Sequence, residues 1–387
     1  MKKMCNNRSI KKELEQMMNI SNKERITELI KNKAKEIGFD LVGITSAEPF
    51  QQAYSILEKR KLTEFISNDR ELLTNPASHL ASAKSIIALA LSYASKRAGK
   101  EEEQNIALYA RGKDYHQVMQ EKMNELIIFI KTLATDAETI TYSDTGVLLD
   151  REVAYRAGLG WIGKSNNLIN PEYGSYLVLG EILTNLPLVT DQAMESRCGT
   201  CQLCIDNCPT QALKAYCLEP ELCLSYISQK KDPLSMEERE MLGNQLWGCD
   251  RCLEVCPYNR DIPYDLHPEF FPVLKGDIKT ILNFTNHNIP GEWKEAALFW
   301  RGLRTLKRNT IINIGNLGKE EYLPLLIDNL ANPSPVLRAY TVWSLGKYRK
   351  EEIKALLSNH YFKENDNMVK KEIEKIFQNN NWGDIND

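Results

Sequence analysis

Cysteine is the residue type with the most chemistry to offer in this chain, and nine of its ten cysteines lie between positions 198 and 256. The first run reads Cys198-x2-Cys201-x2-Cys204-x3-Cys208-Pro209. That is the bacterial two-cluster ferredoxin spacing, in which three thiolates wrap one face of a 4Fe–4S cubane and the fourth points to a second cluster. The second run is Cys249-x2-Cys252-x3-Cys256-Pro257. By the same rule Cys198, Cys201 and Cys204 share one cluster with Cys256, while Cys208, Cys249 and Cys252 hold the other. Two cubanes need one ligand more, and it is Cys217 or Cys223. Cys223, in ELCLSYI after a proline-containing turn, is favoured, which leaves Cys217 and Cys5 as spare thiols. A pair of structural zinc sites is the competing reading, but zinc ribbons need only two C-x2-C pairs. Two clusters in series form an electron relay, so the rest of the chain should hold the electrons' destination.

Other familiar sites are missing. No G-x-G-x-x-G opens a helix; GLGWIGK (158–164), which with Ser165 also spells G-x-x-x-x-G-K-[ST], has the wrong context for a dinucleotide fold. The five histidines (79, 116, 267, 287 and 360) lack metal-ligand spacing. Neither a D-x-H-x-x-G loop nor a haem C-x-x-C-H is present. Spacing alone therefore describes an iron–sulfur oxidoreductase with an unidentified active domain.

The elements around the cysteines come next. A chain of 387 residues divides into two or three domains, and 43% apolar with 26% charged residues is ordinary for a globular protein. A net charge of −3 excludes a globally basic nucleic-acid coat but not a local basic patch. No apolar run follows the basic N-terminus, and IIALALSYA (86–94) is too short to cross a bilayer, so the chain is expected to be cytosolic with no membrane contact. Residues 1–20 form a polar extension. Ser21 and Glu24 make a capping box for a helix to Ile37, and Gly38 ends it. Strands are expected at 39–45, 85–93, 138–144 and 173–183, and helices at 53–72, 114–135 and 149–158, with a turn at Thr145–Gly146. This alternation predicts an α/β domain over 21–190. A cysteine-rich ferredoxin-like domain covers 191–265, and a helical domain covers 266–387. In the latter Leu323, Leu326, Ile327 and Asn329 match Ile353, Leu356, Leu357 and Asn359 at an offset of 30, and Arg308 matches Arg338. That weak repeat fits HEAT-like hairpins better than a plain bundle.

Four segments together resemble the epoxyqueuosine reductase family: ARGKDYH (110–116), SDTGVLLDREVAYRAGLGWIGKSNNLI (143–169), the cysteine block, and WGCDRC (247–252) within GNQLWGCD (243–250). The likeness spans roughly 21–380. It implies a multi-domain fold of mixed α/β and α+β character: an α/β cobalamin-binding domain, a module with two 4Fe–4S clusters, and a HEAT-like helical end. It implies single electrons passing through the clusters to cobalamin, which reduces the epoxide of epoxyqueuosine in tRNA to the alkene of queuosine.

The family also implies roles. Asp144, in the D-T-G turn, lies over the corrin and serves as proton donor, provided its pKa is raised; an Asx-turn aspartate is the plainer reading. Arg70, Ser225, Cys249 and Asp250 match positions that line the corrin. Asp150 and Arg151 form an ion pair or part of the substrate pocket, and Lys164 is a phosphate contact or a surface lysine. Ala107 stands where some relatives carry a cysteine near the cobalt, so that side chain cannot be essential here.

An acidic chain needs local cations to hold RNA. RGLRTLKR (301–308) places Arg301, Arg304 and Arg308 on one helix face, Lys230 and Lys231 follow Cys223, and KYRK (347–350) is a third patch. The partners expected are the tRNA anticodon region, read as a splayed base, and an electron donor whose identity the sequence does not give, acting on a monomer. The rivals are a reductive dehalogenase-like cobalamin enzyme of a small molecule, a ferredoxin-type electron-carrier subunit, and a HEAT-type scaffold with structural clusters.

Overall fold

The computed structural model describes residues 22–60, 62–96, 104–144, 148–231 and 233–385. The 1–20 extension, Cys5, the Ser21 cap and the Thr145–Gly146 turn lie outside the described residues. Contacts divide the chain into two units, one of residues up to 92 with 115–201 and 258–263, the other of 93–114, 202–257 and 264 onward. This differs from a division at 190 and 265. Segment 93–114 leaves the first unit, and the split falls within the first cysteine run, between Cys201 and Gln202.

In the first unit, α1 (Asn22–Ile37) leads into β1 (Leu41–Ser46), then α2 (Gln51–Leu57), α3 (Arg70–Thr74), β2 (Ser85–Ser92), α4 (Tyr115–Leu133), β3 (Thr139–Tyr142), α5 (Asp150–Arg156) and β4 (Leu177–Thr184). The single helix expected over 53–72 is two short ones. The polar stretch between them favours side chain-to-backbone bonds, and Asp69 restarts the helix by accepting the Glu71 and Leu72 amides. The sheet order is β1-β2-β4-β3. The unbroken apolar run SIIALALS becomes β2, buried along its whole length as a central strand. The α/β expectation fails on strand direction, because β1–β2, β2–β4 and β3–β4 are all antiparallel. Alternating order gives a parallel sheet only when each crossover returns the chain to the same end. One face is covered by α1 and α4 through Ile30, Ala34, Met119, Met123 and Leu126. Gly180 admits that layer, since a β-carbon there would stand 2.6 Å from Met119 Cε. On the opposite face α5 packs Val153 and Ala154 against Ile86, Ala88, Ala90 and Leu183.

The second unit carries α6 (Leu203–Asp206), α7 (Leu224–Gln229), α8 (Met236–Leu242), β5 (Gln245–Trp247) and α9 (Arg251–Glu254) around its cysteines. Further on come α10 (Ile278–Asn283), α11 (Gly291–Lys294), α12 (Leu303–Leu317), α13 (Leu323–Asn329), α14 (Pro335–Gly346), α15 (Glu351–Lys363) and α16 (Asn367–Asn380). Every described element after position 266 is helical, as expected for that part of the chain. α12 packs on α14 and α14 on α16, with α13 and α15 alongside. No described helix is long and apolar enough to cross a membrane.

Candidate active site

Asp144 follows β3 with a φ of +56°, in the left-handed region that Asp tolerates better than most residues. Tyr115 and His116 open α4 and stack with ring centroids 4.0 Å apart. The Tyr115 hydroxyl donates to Asp144 Oδ2, and His116 Nε2 stands 3.7 Å from the same oxygen. The Asp144 side chain is 64% exposed, so this cluster opens to solvent. Surrounding protein desolvates the carboxylate and pushes its pKa up. The hydrogen bonds from His116 and Tyr115 and the charges of His116 and Arg151 outweigh that, and the group ends below the usual carboxylate range. The condition attached to Asp144, a raised pKa, is therefore not met in this state.

Behind Asp144 lie two more acids. Asp150 Oδ2 accepts the Asp144 backbone N–H at 3.2 Å. Burial pushes Asp150 up to about 6, with a lowering hydrogen bond from Glu181 and a raising charge from Asp144. Glu181, 1% exposed on β4, is driven well above the ordinary range, first by burial and then by Asp150. Arg151 donates Nη1 to the Asn166 carbonyl, while its charge acts on both Asp144 and Asp150. Sequence reasoning assigned no role to Tyr115, His116 or Glu181. The available signals were DYH within ARGKDYH and a lone carboxylate inside the apolar LVLGEILT.

None of the nine described cysteines is assigned to a disulfide. In the second unit burial raises Cys249 to about 12 and pushes Cys252 higher still. Cys223 acts electrostatically on both thiols, and Cys204 also on Cys252. Such a set stays neutral unless a cationic centre takes the thiolates, which is what an iron–sulfur cluster does. Cys217, by contrast, sits in a two-residue hairpin strand paired with Lys214. Among the described residues no three His, Cys, Asp or Glu side chains are set to hold a single metal ion. In the first unit Lys164 donates to the Gly199 and Cys201 carbonyls at 2.8 and 2.9 Å. It braces the first cysteine turn, and GLGWIGK forms a small hairpin.

The remaining candidates fall in different settings. Arg70 spends Nε on the Leu57 carbonyl at 3.1 Å. Ser225 and its carbonyl hold the Gln229 amide. Asp250 Oδ2 accepts the Leu108 N–H at 2.6 Å, and burial raises this acid to about 7. Ala107 is buried against Gly248, whose φ is +62° and where a β-carbon would stand 2.5 Å from Ala107 Cβ. Arg304 and Lys231 are exposed, and Arg301 is half-buried over the Trp300 ring at 3.8 Å. Arg308 is not on that surface. It is 1% exposed and binds the Lys230 and Ser228 carbonyls. Helix periodicity put it with Arg301 and Arg304, but the burial of α12 against the α7 segment turns it inward. In KYRK, Lys347 and Lys350 pair with Glu240 and Glu320.

Comparison with known proteins places these observations. A 4Fe-4S double cluster binding domain model matches residues 197–259. The model described as epoxyqueuosine reductase QueG, DUF1730, matches residues 74–145. The epoxyqueuosine reductase of Bacillus anthracis is 35% identical over 88% of this chain and 94% of its own. That of Bacillus subtilis is 36% identical over 88% and 92%. Among solved structures, an epoxyqueuosine reductase bound to an epoxyqueuosine-modified tRNA-Tyr stem loop superposes with a TM-score of 0.87 at 34% identity, covering 92% of this chain and 98% of that one. Another, from Bacillus subtilis, has its catalytic aspartate loop swung out of the active site; its TM-score is 0.85 at 34% identity, covering 92% and 98%.

Proposed function

The chain belongs to the epoxyqueuosine reductase family, and we propose that it reduces the epoxide of epoxyqueuosine in tRNA to the alkene of queuosine, with Asp144 passing a proton to the departing oxygen. The observation that carries the proton role is the hydrogen-bonded group of Asp144, Tyr115 and His116, open on one side to solvent. When bound, cobalamin supplies a strongly reducing cobalt centre, and two 4Fe–4S clusters supply electrons one at a time. Losing the epoxide oxygen as water consumes two electrons and two protons. Asp144 is ionised at rest, so it takes a proton from Tyr115 Oη or His116 Nε2 and hands it on, rather than storing one.

For the clusters, the buried thiols of Cys223, Cys249 and Cys252 support one set with Cys208, and the ferredoxin spacing supports Cys198, Cys201, Cys204 and Cys256 as the other. Arg70, Asp144, Ser225, Cys249 and Asp250 are the residues that family resemblance assigns to cobalamin. Asp250, poised near neutrality, can donate to or accept from a corrin amide. Lys231 and Arg304 are exposed cations that can meet RNA phosphates, and Arg301 with Trp300 offers a planar surface to a base. The stacked helices α12 to α16 serve as a HEAT-like support for that RNA.

The test is anaerobic. Protein reconstituted with iron, sulfide and cobalamin receives a strong reductant and epoxyqueuosine-containing tRNA, and the digested nucleosides are weighed by mass spectrometry. Loss of one oxygen from the modified base is expected. Full cofactor loading without conversion would move the activity to a small molecule, and failure to bind cobalamin would leave an electron carrier.

A further inference from the structure

Glu181 interrupts the apolar strand LVLGEILT near the middle of the sheet. Its register sets it beside Ala88 of β2 and Tyr142 of β3, on the face that α5 covers. Asp150 is the first residue of α5, and its buried carboxyl group acts on that of Glu181. Glu181 Oε1 and Asp150 Oδ1 are both shut off from solvent, and neither meets an N–H or O–H donor of the protein. A hydrogen bond between two carboxyl groups requires a proton on one of them, because ionised carboxylates only accept. The other charged or titratable groups that act on the pair are the Asp144 carboxylate, Arg151 and the Tyr142 phenol. Arg151 is engaged with the Asn166 carbonyl, and the Tyr142 hydroxyl is bonded to His79 Nδ1 at 3.0 Å. The second oxygen of Asp150 holds the Asp144 N–H, at a residue whose backbone is in the left-handed region.

We propose that Asp150 and Glu181 share one proton as a carboxylic acid–carboxylate pair, and that this pair is the latch that holds the Asp144 backbone N–H and so keeps Asp144 in its working position. Glu181 donates the proton to Asp150 Oδ1. Asp150 then carries the negative charge and accepts the Asp144 amide more strongly than a neutral acid would. Removal of the shared proton leaves two buried anions in contact, which drives the carboxylates apart and opens the latch. Asp150 and Glu181 are thus positioning residues that act through Asp144. The proposal rests on Asp144 being the working acid, and a relative whose aspartate loop has swung out shows that in that protein the loop has a second position.

The test uses the cluster-loaded protein and two readouts independent of turnover. Infrared spectra at pH 7.5 should contain the carbonyl band of an unionised carboxylic acid that shifts in D2O and is lost in Glu181→Gln. Hydrogen exchange of the peptide spanning the Asp144 turn should quicken by about tenfold or more in Glu181→Leu, which removes the donor, and by less than about threefold in Glu181→Gln, whose amide still donates to Asp150. Asp150→Asn, which keeps an acceptor for the Asp144 amide, should behave like Glu181→Gln in exchange and covers the case of a poorly folded leucine variant. Absence of the acid band at pH 7.5, or equal exchange in the leucine variant and the parent, would overturn the proposal. A protein with band and protection intact but no epoxide reduction would sink the assigned activity and leave the pair standing.

Discussion

Asparagine at position 144 would keep the size of the side chain and an acceptor for Tyr115 while removing its ability to carry a proton. The size of the effect follows from where the proton rests. At the ordinary aspartate value of 3.8, roughly one carboxyl group in 1,500 is protonated at pH 7, a cost of about 4 kcal/mol. Asp144 lies below that value, so its neutral form is rarer still. A standing acid at this position would therefore add most of that cost to the barrier. A transfer in which Asp144 gains a proton from His116 or Tyr115 as it gives one to the oxygen never populates that neutral form, and the 3.7 Å gap to His116 has room to tighten when substrate binds. Asp144→Asn should then lower the single-turnover rate per bound cobalamin by about 10²–10⁴-fold, or about 3–5 kcal/mol, with iron content unchanged. His116→Gln should cost less, about 10–100-fold, and alter the limb of the pH profile that reports His116. The assay is rapid mixing of the reduced holoenzyme with modified stem loop, followed by nucleoside mass spectrometry. An asparagine variant within tenfold of the parent, or His116 and Tyr115 variants that both keep the parent rate and pH profile, would refute the relay.

Three further outcomes follow from the same geometry. Cys223→Ala should lose one cluster, about half of the bound iron, whereas Cys217→Ala should keep its full content, as read by iron analysis and electron paramagnetic resonance. Arg304→Glu should weaken stem-loop binding and flatten its salt dependence by about one phosphate contact, while Arg308→Ala should instead destabilise the fold by about 2–4 kcal/mol, because it removes the donor to the Lys230 carbonyl and leaves the place of a buried side chain empty. Arg338 grips Glu364 through both oxygens at 2.7 Å and holds its pKa at about 2, against an ordinary 4.5. A depressed carboxylate contributes stability above its unfolded pKa and loses it as pH falls, so the melting-temperature gap between the parent and Glu364→Gln should be full above pH 4.5 and close toward pH 2.

The double-cluster module was legible because thiolate chemistry fixes spacing along the chain, and the matching domain model covers 197–259. SIIALALS was legible as a strand covered on both faces, but not its direction, since burial of both faces occurs in parallel and antiparallel sheets alike. Arg308 was misread for a related reason. Periodicity tells which residues share a helix face, and only the packing of α12 says that this position lies under the α7 segment. The Asp144 surroundings were the least legible, because Tyr115, Asp144, Asp150 and Glu181 come from four separate elements and their pKa values are set by burial.

Those surroundings explain why three acids so close together do not defeat one another. Like charges this near cannot all ionise, so the site sorts them by environment. Asp144 has two donors, nearby positive charge and access to solvent, and it takes the anionic role. Glu181 has burial and no cation of its own, and it stays neutral. Asp150 lies between, ionised by the proton that Glu181 keeps and by the Asp144 amide it accepts. The order matters for function: an anion at the back braces the turn, while the exposed carboxylate in front stays empty of its proton until Tyr115 or His116 supplies one. Were the order reversed, with Asp144 neutral and Glu181 charged, the turn would lose its brace and a bare carboxylate would be left in the sheet with no donor. In the proposed arrangement the strand that carries Glu181 thus positions the carboxylate through which the proton passes.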